Sequence, residues 1–389
     1  MDENEKKKPL ILLAFALILY ALFSLLSITL SQIFLGFALV FWVYLLVKKT
    51  IRLAFPGFFW GLIAYAALSL LSSAMSHNPS VSFAHSRKLL LFLVVPMAFA
   101  GLRHRIHISR VKTALLVSGS ISVVFSLLYF ALQAQPGERI RGFMDHYMTQ
   151  AGLLLLFCAV ALSLFFFEKR KIRYVWGAVF VLASLALILT LTRNAWVGLV
   201  VVFFVLLLLY KPKALILLPA GIGLFYIASP AHIKNRALSI FNPQSYSNAQ
   251  RIEYIKAGFE IIKDYPFFGT GPHTVHVVFQ KPEYRLSEDA RQNVHLHNNL
   301  IQIAAERGLP ALAAWIVFLV WAFISLIKLL KNKNPELFAL TSAALASLLA
   351  MIVAGLFEYN FGDSEVVTLF LFILTLPFCR ERVFRKSQQ

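Results

Sequence analysis

The sequence predicts an all-α, polytopic integral membrane protein with about twelve transmembrane helices and one long helical loop between helices nine and ten. Composition is the first reason: of 389 residues, 59% are hydrophobic and only 14% are charged, against roughly 45–50% and about 25% in soluble domains. The second reason is that the apolar residues form continuous runs instead of alternating with polar ones, which favours helices over a membrane β-barrel.

Twelve apolar runs are long enough, or nearly so, to cross a bilayer as helices. They lie near 10–28, 32–47, 57–75, 88–101, 113–133, 149–167, 174–191, 195–210, 214–229, 309–327, 337–357 and 366–379. The first run follows three lysines but has no small-residue cleavage site, so we expect a retained helix and not a removed signal peptide. Cys158 and Cys379 both lie in apolar runs, so no disulfide framework is predicted.

Basic residues are distributed unequally between the loops. If the N-terminus is inside, every short loop on that side carries at least two lysines or arginines, as the positive-inside rule expects of cytoplasmic loops. This pattern predicts that both termini are cytoplasmic. Orientation accounts for much of the net charge of +19 and removes nucleic acid as an expected partner. Most of the other basic residues lie between 230 and 308, on the outer side, where orientation gives no reason for them.

Three regions are predicted: helices one to nine in 1–229, an outer loop with amphipathic helices and active-site residues in 230–308, and helices ten to twelve with a short cytoplasmic tail in 309–389. In the loop, apolar residues at three- and four-residue steps predict a helix over 250–264 that opens at Arg251. A cation near a helix N-terminus is unfavourable unless an anion binds there. A second helix is predicted to begin near His297 and to end at 307–310, where a glycine and a proline follow one another.

The second half of the loop also contains four histidines, His273, His276, His295 and His297, a combination that suggests zinc. Their spacing is no more than a weak zinc motif, and no HExxH sequence or carboxylate cluster accompanies them. The sequence therefore predicts neither a metal nor a cofactor.

Several motifs, taken in order, resemble the O-antigen ligase and polymerase superfamily. They are RIEYIKAGFEIIKDYPFFGTGP at 251–272, HNNL at 297–300, ERGLP at 306–310 and LTRNAWVG at 191–198. Ligases of that family show a His-Asn pair, nine residues and then a glycine, which here are His297, Asn298 and Gly308. Ala311 stands where the family often has Gly, Thr or Tyr, and the first five helices match only in hydropathy.

The resemblance implies a glycosyltransferase of the bacterial inner membrane with a periplasmic active site. It would transfer a glycan from undecaprenyl diphosphate to a sugar hydroxyl of lipid A–core oligosaccharide, and membrane lipid would surround it. Arginine pairs bidentately with phosphate, which suits Arg193 and Arg251 to the diphosphate. A histidine is suited to general-base catalysis at neutral pH, and His297 is the predicted base. The reaction is expected to be metal-independent and inverting, since the diphosphate leaves readily when arginines stabilise its charge.

Three further residues are predicted to bind substrate: Asn298, Arg141 and Asp363. Asp363 belongs to the acidic cluster EYNFGDSE at 358–365, and Arg141 lies in another outer loop. His295 is expected to point away from His297, because the two are only two residues apart. An O-antigen polymerase is the alternative within the same family, and a lipid-linked glycan flippase is the alternative from another class.

Overall fold

The computed structural model describes residues 3–132 and 137–386, and all regular secondary structure in these ranges is helical. Residues 133 and 387–389, from the predicted fifth span and the predicted tail, lie outside the described residues. Seven helical segments are long and apolar enough to cross a membrane, and four shorter apolar segments accompany them. Within the described residues each predicted span lies for most of its length on a helix, and the all-α, polytopic prediction is confirmed.

Seventeen α-helices follow one another in the described ranges: α1 Glu3–Phe23, α2 Ile28–Val47, α3 Phe59–Ala74, α4 Pro79–Ser86, α5 Val94–Gly101, α6 Arg105–Leu132, α7 Tyr147–Phe167, α8 Arg173–Leu189, α9 Arg193–Tyr210, α10 Leu217–Ala228, α11 Ala231–Leu238, α12 Tyr246–Asp264, α13 Val275–Val278, α14 Glu288–Arg291, α15 Asn299–Leu330, α16 Pro335–Ala354 and α17 Ser364–Lys386. Short 3₁₀ turns lead into α5 at Arg87–Leu93 and into α10 at Pro212–Ile216.

Helices α7 and α16 form the centre of the bundle. Each is apolar or small on almost all sides and is buried over most of its length, as expected for a helix that is surrounded by others. They pack against each other and against α9 and α17. Helix α1 packs on α2 and α6, while α3 packs along α15, so the N-terminal helices lie around this centre.

The first predicted span ends five residues early, at Phe23 instead of 28. Ser27 caps the next helix, because its hydroxyl accepts a hydrogen bond from the Leu30 N–H at 3.3 Å. The hydropathy of Leu25 and Leu26 hid this turn from the sequence prediction.

The segment between α10 and α15 is ordered, with a small hydrophobic core of its own. Tyr254 and Ile261 of α12 pack there with Val278, Phe279 and Leu296. The predicted helix at 250–264 is therefore present, but it begins earlier, at Tyr246. Residues 246–249 lack the apolar period that revealed the rest of the helix. Arg251 thus lies in the second turn of α12. The prediction that it opens the helix is wrong, and so is the inference that the helix dipole favours an anion beside it.

The second predicted loop helix begins at Asn299, as expected, but does not stop at 307–310. Gly308 has non-helical angles (φ 81°, ψ 166°) and kinks the chain, which then returns to helix as far as Leu330. The Leu309 N–H at the kink donates to the Pro266 carbonyl at 2.8 Å. A Cβ at position 308 would collide with the Phe267 backbone, so only glycine fits this approach.

Two of the motifs quoted above meet at this kink. The Thr270 and Gly271 N–H groups donate to the carbonyls of Ala305 and Glu306, both at 2.9 Å. The turn in 267–272 is thereby held against the first half of α15. The end of the bundle that carries residues 229–298 is called the loop face below.

At the opposite end, charged side chains pair with one another. Glu336, in the first turn of α16, accepts from Lys112 at 2.8 Å and from Arg380 at 2.8 Å. Lys112 also contacts Glu168 at 3.2 Å, and Arg105 reaches Glu336 at 3.3 Å. These five residues are called the Glu336 cluster.

Candidate active site

Three residues predicted to be catalytic converge on one cavity at the loop face. This arginine cavity has a volume of about 220 Å³. It is lined by Arg193, Asn194, Val197, Ile240, Asn248, Arg251, Ile252, Ile255, Leu296, His297, Leu356 and Phe357. Most of this lining is apolar, with the two arginines and the histidine as its ionisable groups. The cavity thus places cationic side chains beside an apolar wall.

Arg193, the first residue of α9, is 6% exposed and bonds only to neutral oxygens. One terminal nitrogen, Nη1, donates to the carbonyl and the hydroxyl of Ser239, at 2.6 and 3.0 Å. The other, Nη2, donates to Ser247 Oγ at 2.6 Å and to Asn248 Oδ1 at 2.7 Å. These bonds fasten the segment before and at the start of α12 to the end of a membrane helix, and they leave the positive charge unneutralised.

Arg251 reaches the same cavity from α12. Its Nε donates to the Phe357 carbonyl at 3.1 Å. Burial lowers its pKa, and the negative charge of Glu358 partly offsets that effect. The arginine is thus anchored by a single side-chain hydrogen bond to backbone, whereas Arg193 makes four.

Two more arginines, which the sequence analysis did not select, belong to this group. Burial, followed by the charges of Arg139 and Arg251, lowers the pKa of Arg236. Arg236 donates from Nε to the Leu191 carbonyl at 3.1 Å, and Arg139 lies 4.4 Å over the Tyr147 ring. Within the described residues, no carboxylate is a hydrogen-bond partner of these four arginines. Their like charges repel one another, and a bound anion would relieve that repulsion. In the sequence, Arg139 and Arg236 differ from other basic residues only in lying on the predicted outer side, and neither belongs to one of the motifs.

His297 forms a close pair with Glu358. Its Nδ1 lies 2.9 and 3.0 Å from the two carboxylate oxygens, and both side chains are largely buried. Burial alone would raise the pKa of Glu358, but the hydrogen bond from His297 and the charges of the two nearby histidines and Arg251 lower it to about 2. Glu358 is therefore ionised at neutral pH. A carboxylate at Nδ1 holds the proton there and leaves Nε2 as the acceptor nitrogen.

The His-Asn-Asn sequence at 297–299 positions this pair, because its two asparagines form hydrogen bonds with the turn after α16. Asn298 caps α15 through Ile301 N–H at 3.1 Å and donates to the Leu356 carbonyl at 2.9 Å. Asn299 donates from its backbone to the Gly355 carbonyl at 2.7 Å and from its side chain to Asn360 at 2.7 Å. The histidine itself has a left-handed φ of 50°. Residues 355–361, with Glu358 among them, are thus held against the base.

His295 does not point away from His297, so that expectation is wrong. The two residues lie in a loop and not on a helix, and their rings are 4.3 Å apart. His295 Nδ1 lies 3.8 Å from Glu358, and burial lowers the pKa of His295 to about 4.

The four histidines in the second half of the loop fall into two groups. His295, His297 and Glu358 bring one ligand atom each within 4.8 Å of one another, so they could hold a metal ion. His273 instead stacks on His85 at 3.6 Å, with His276 beside it at 5.0 Å. A four-histidine site is therefore not formed. That the chemistry needs no metal stays a prediction.

A larger cavity, of about 310 Å³, lies on the other side of Glu358. Its lining is mixed, with more polar surface than that of the arginine cavity, and it is called the polar cavity below. Glu358 and His295 line it, but His297 does not, while Asn194 lines both cavities. Lys88 and Arg307 add positive charge to its wall. The His297–Glu358 pair therefore stands between two spaces.

Asp363 and Arg141 lie apart from this pair. Asp363 lines the polar cavity, where its carboxylate accepts from Thr149 at 2.6 Å and from the N–H groups of Glu365 and Val366 at the start of α17. Arg141 is exposed and lines neither cavity. Their roles in substrate binding remain predictions. Glu358, five residues before Asp363 in the same acidic cluster, is the carboxylate that faces the histidine.

One segment of the chain matches a known protein family. Residues 178–316 match the family model described as O-antigen ligase. The matched range contains Arg193, Arg251, His297 and Gly308. No curated protein matches the chain. The match covers less than half of the chain; it supports an O-antigen ligase family assignment and, in general terms, a membrane enzyme of the ligase or polymerase type.

Proposed function

We propose that this member of the O-antigen ligase family transfers a glycan from undecaprenyl diphosphate to a sugar hydroxyl of lipid A–core oligosaccharide. The observation that carries the proposal is the convergence of Arg193, Arg251 and His297 on one cavity with an apolar wall. A lipid-linked diphosphate needs cations beside a lipid-accessible surface, and a hydroxyl acceptor needs a base. The arginine cavity provides both the cations and the base.

The arginines would bind the diphosphate. Guanidinium groups keep their charge at any physiological pH. Arg251 is bound through its Nε, so its terminal N–H groups can pair with phosphate oxygens. The four terminal N–H groups of Arg193 are already engaged, so Arg193 would contribute its positive charge. Because Arg193 and Arg251 bond to neutral oxygens and not to carboxylates, their charge remains available to an anion. Arg236 and Arg139 add to the positive potential nearby.

His297 would act as the general base, with Glu358 as a positioning residue. Nε2 takes the proton of the acceptor hydroxyl while that oxygen forms a bond to the anomeric carbon of the donor sugar. The bond between that carbon and the phosphate oxygen breaks, and its electron pair leaves with undecaprenyl diphosphate, whose charge the arginines stabilise. Attack opposite the leaving group inverts the anomeric centre. Glu358 then stabilises the imidazolium formed on His297.

The acceptor would be held by residues around this pair. Asn298 caps α15 and bonds to residue 356, which supports a role in positioning His297 over one in sugar contact. Asp363, on the wall of the polar cavity, and Arg141 are proposed to contact the acceptor. We place the protein in the bacterial inner membrane with the loop face periplasmic and both termini cytoplasmic, because lysine and arginine concentrate in the short loops of the other side.

The proposal is tested by reconstitution. Purified protein is mixed with an undecaprenyl-diphosphate glycan and lipid A–core, with and without a chelator. Glycan on lipid A–core together with released undecaprenyl diphosphate supports the ligase. A lengthened lipid-linked glycan would instead identify a polymerase, and movement of donor across vesicles without product would identify a flippase. Loss of activity in chelator would assign a metal to His295, His297 and Glu358.

A further inference from the structure

A third cavity, an apolar groove of about 400 Å³, lies on the membrane side of the active site between α15 and α16. Trp315, Leu319, Val320 and Phe323 of α15 face Leu349 and Ile352 of α16 across it. Its walls present no polar surface. Val320 is 50% and Phe323 is 38% exposed on the protein surface, so the groove is open to the lipid.

The groove begins where the arginine cavity ends. Leu356 lines both spaces, with Phe357 of the arginine cavity next to it in the chain. At this end the groove is bounded by Asn299 and Gly355, which are joined by a backbone hydrogen bond of 2.7 Å. The amide group of Asn299 is engaged by Asn360 and the Phe361 N–H, so it does not add a free polar group to the wall. An apolar path thus leads from the arginines into the membrane.

We propose that this groove holds the polyprenyl tail of the donor, an inference that rests on the proposed function. A diphosphate at Arg193 and Arg251 has a hydrocarbon chain attached on its membrane side, and the groove is an uninterrupted apolar surface at that side. Lipid tails are as apolar as the groove, so no hydrophobic force draws the chain out of the bilayer. The groove contributes packing, and it fixes the direction in which the diphosphate enters the cavity.

Two valines on the same helix provide a matched test. Val320 lines the groove, whereas Val317 does not, and the two are 50% and 52% exposed. Val320→Trp fills the groove, while Val317→Trp places the same bulk on another lipid-facing side. The KM for donor is measured with the same glycan on undecaprenyl diphosphate and on geranyl diphosphate, whose chain is too short to fill the groove.

The expected result is that Val320→Trp raises the KM for the undecaprenyl donor by about tenfold, the size of an overpacking penalty. With the geranyl donor its KM should equal that of the unaltered protein, and Val317→Trp should match the unaltered protein with both donors. Equal KM values for the two variants with the long donor would overturn the proposal.

A binding experiment separates this inference from the proposed function. Undecaprenyl diphosphate with a photoreactive group on its tail is bound to the purified protein and irradiated. Labels on peptides containing 315–323 and 349–352, reduced in Val320→Trp but not in Val317→Trp, support the groove even if no transfer reaction is found. Labels spread evenly over all lipid-facing helices, as bulk lipid would give, would overturn it.

Discussion

Two groups of charged side chains, one at each end of the helical bundle, are held in different ways. In the Glu336 cluster each lysine or arginine has a carboxylate within 3.3 Å or less. At the loop face, Arg193 and Arg251 bond to carbonyl, hydroxyl and amide oxygens, and the acid nearby, Glu358, is bonded to a histidine. Charges that neutralise each other stabilise the fold. Charges that meet neutral partners around a cavity remain available to a ligand.

The largest effect that this contrast predicts is on the base. His297→Ala should lower kcat by a factor of about 10² to 10⁴, the usual contribution of a general base. Glu358→Gln should lower kcat by about tenfold or more with little change in the donor KM, because it acts through the orientation of His297. Both are measured by glycan transfer at equal membrane levels. Glu260→Gln, an exposed acid on α12, is the control, and full activity of His297→Ala would exclude this residue as the base.

A second prediction separates the two arginines. Arg251→Ala should lower kcat/KM for the donor by about 100-fold, as expected when one donor to a developing charge is lost, with little change in thermal stability. Arg193→Ala should lose as much activity and also about 1–3 kcal/mol of stability, because four buried hydrogen bonds are broken. Activity and unfolding temperature are compared with those of Lys256→Ala, an exposed charge on α12. Unchanged kcat/KM in both variants would contradict diphosphate binding here.

In the Glu336 cluster a substitution should lower stability and leave activity unchanged. Glu336→Gln removes the carboxylate shared by Lys112 and Arg380, and we expect a loss of about 2 kcal/mol of stability, somewhat below the range for fully buried pairs. Transfer activity measured below the new unfolding temperature should stay unchanged. A loss of activity in the folded variant would show that this end takes part in the reaction and would break the contrast.

The smallest effect is a pH dependence of stability at the loop face. Burial lowers the pKa of His273 to about 4, below the ordinary 6.5. Between these values the unfolded chain binds more protons, so this contribution to stability is full above pH 6.5 and is lost as pH falls towards 4. His273→Asn, which tolerates the left-handed backbone there, should flatten the decline in unfolding temperature between pH 7 and 4.5. The exposed His232→Asn should not.

Sequence alone predicted the helices well because long apolar runs leave few alternatives to a membrane helix. It also assigned Arg193, Arg251 and His297 to one predicted active site, because the motifs that contain them resemble those of a family. It selected Asp363 over Glu358 because spacing within EYNFGDSE does not show which carboxylate faces the base. That is decided by the Asn298 and Asn299 contacts, which join residues about sixty positions apart. The proximity of His295 and the grouping of Arg139 with Arg236 depend on loop packing in the same way.

The clamp between 297–299 and 355–361 also defines what can be exchanged between relatives. A chimera in which a foreign segment replaces residues 230–299 would bring a histidine fitted to another turn. Its Asn-Asn pair would then meet the wrong backbone, and the carboxylate beside the base would shift. A functional graft should therefore replace two separate stretches of chain together: the loop and the turn after α16.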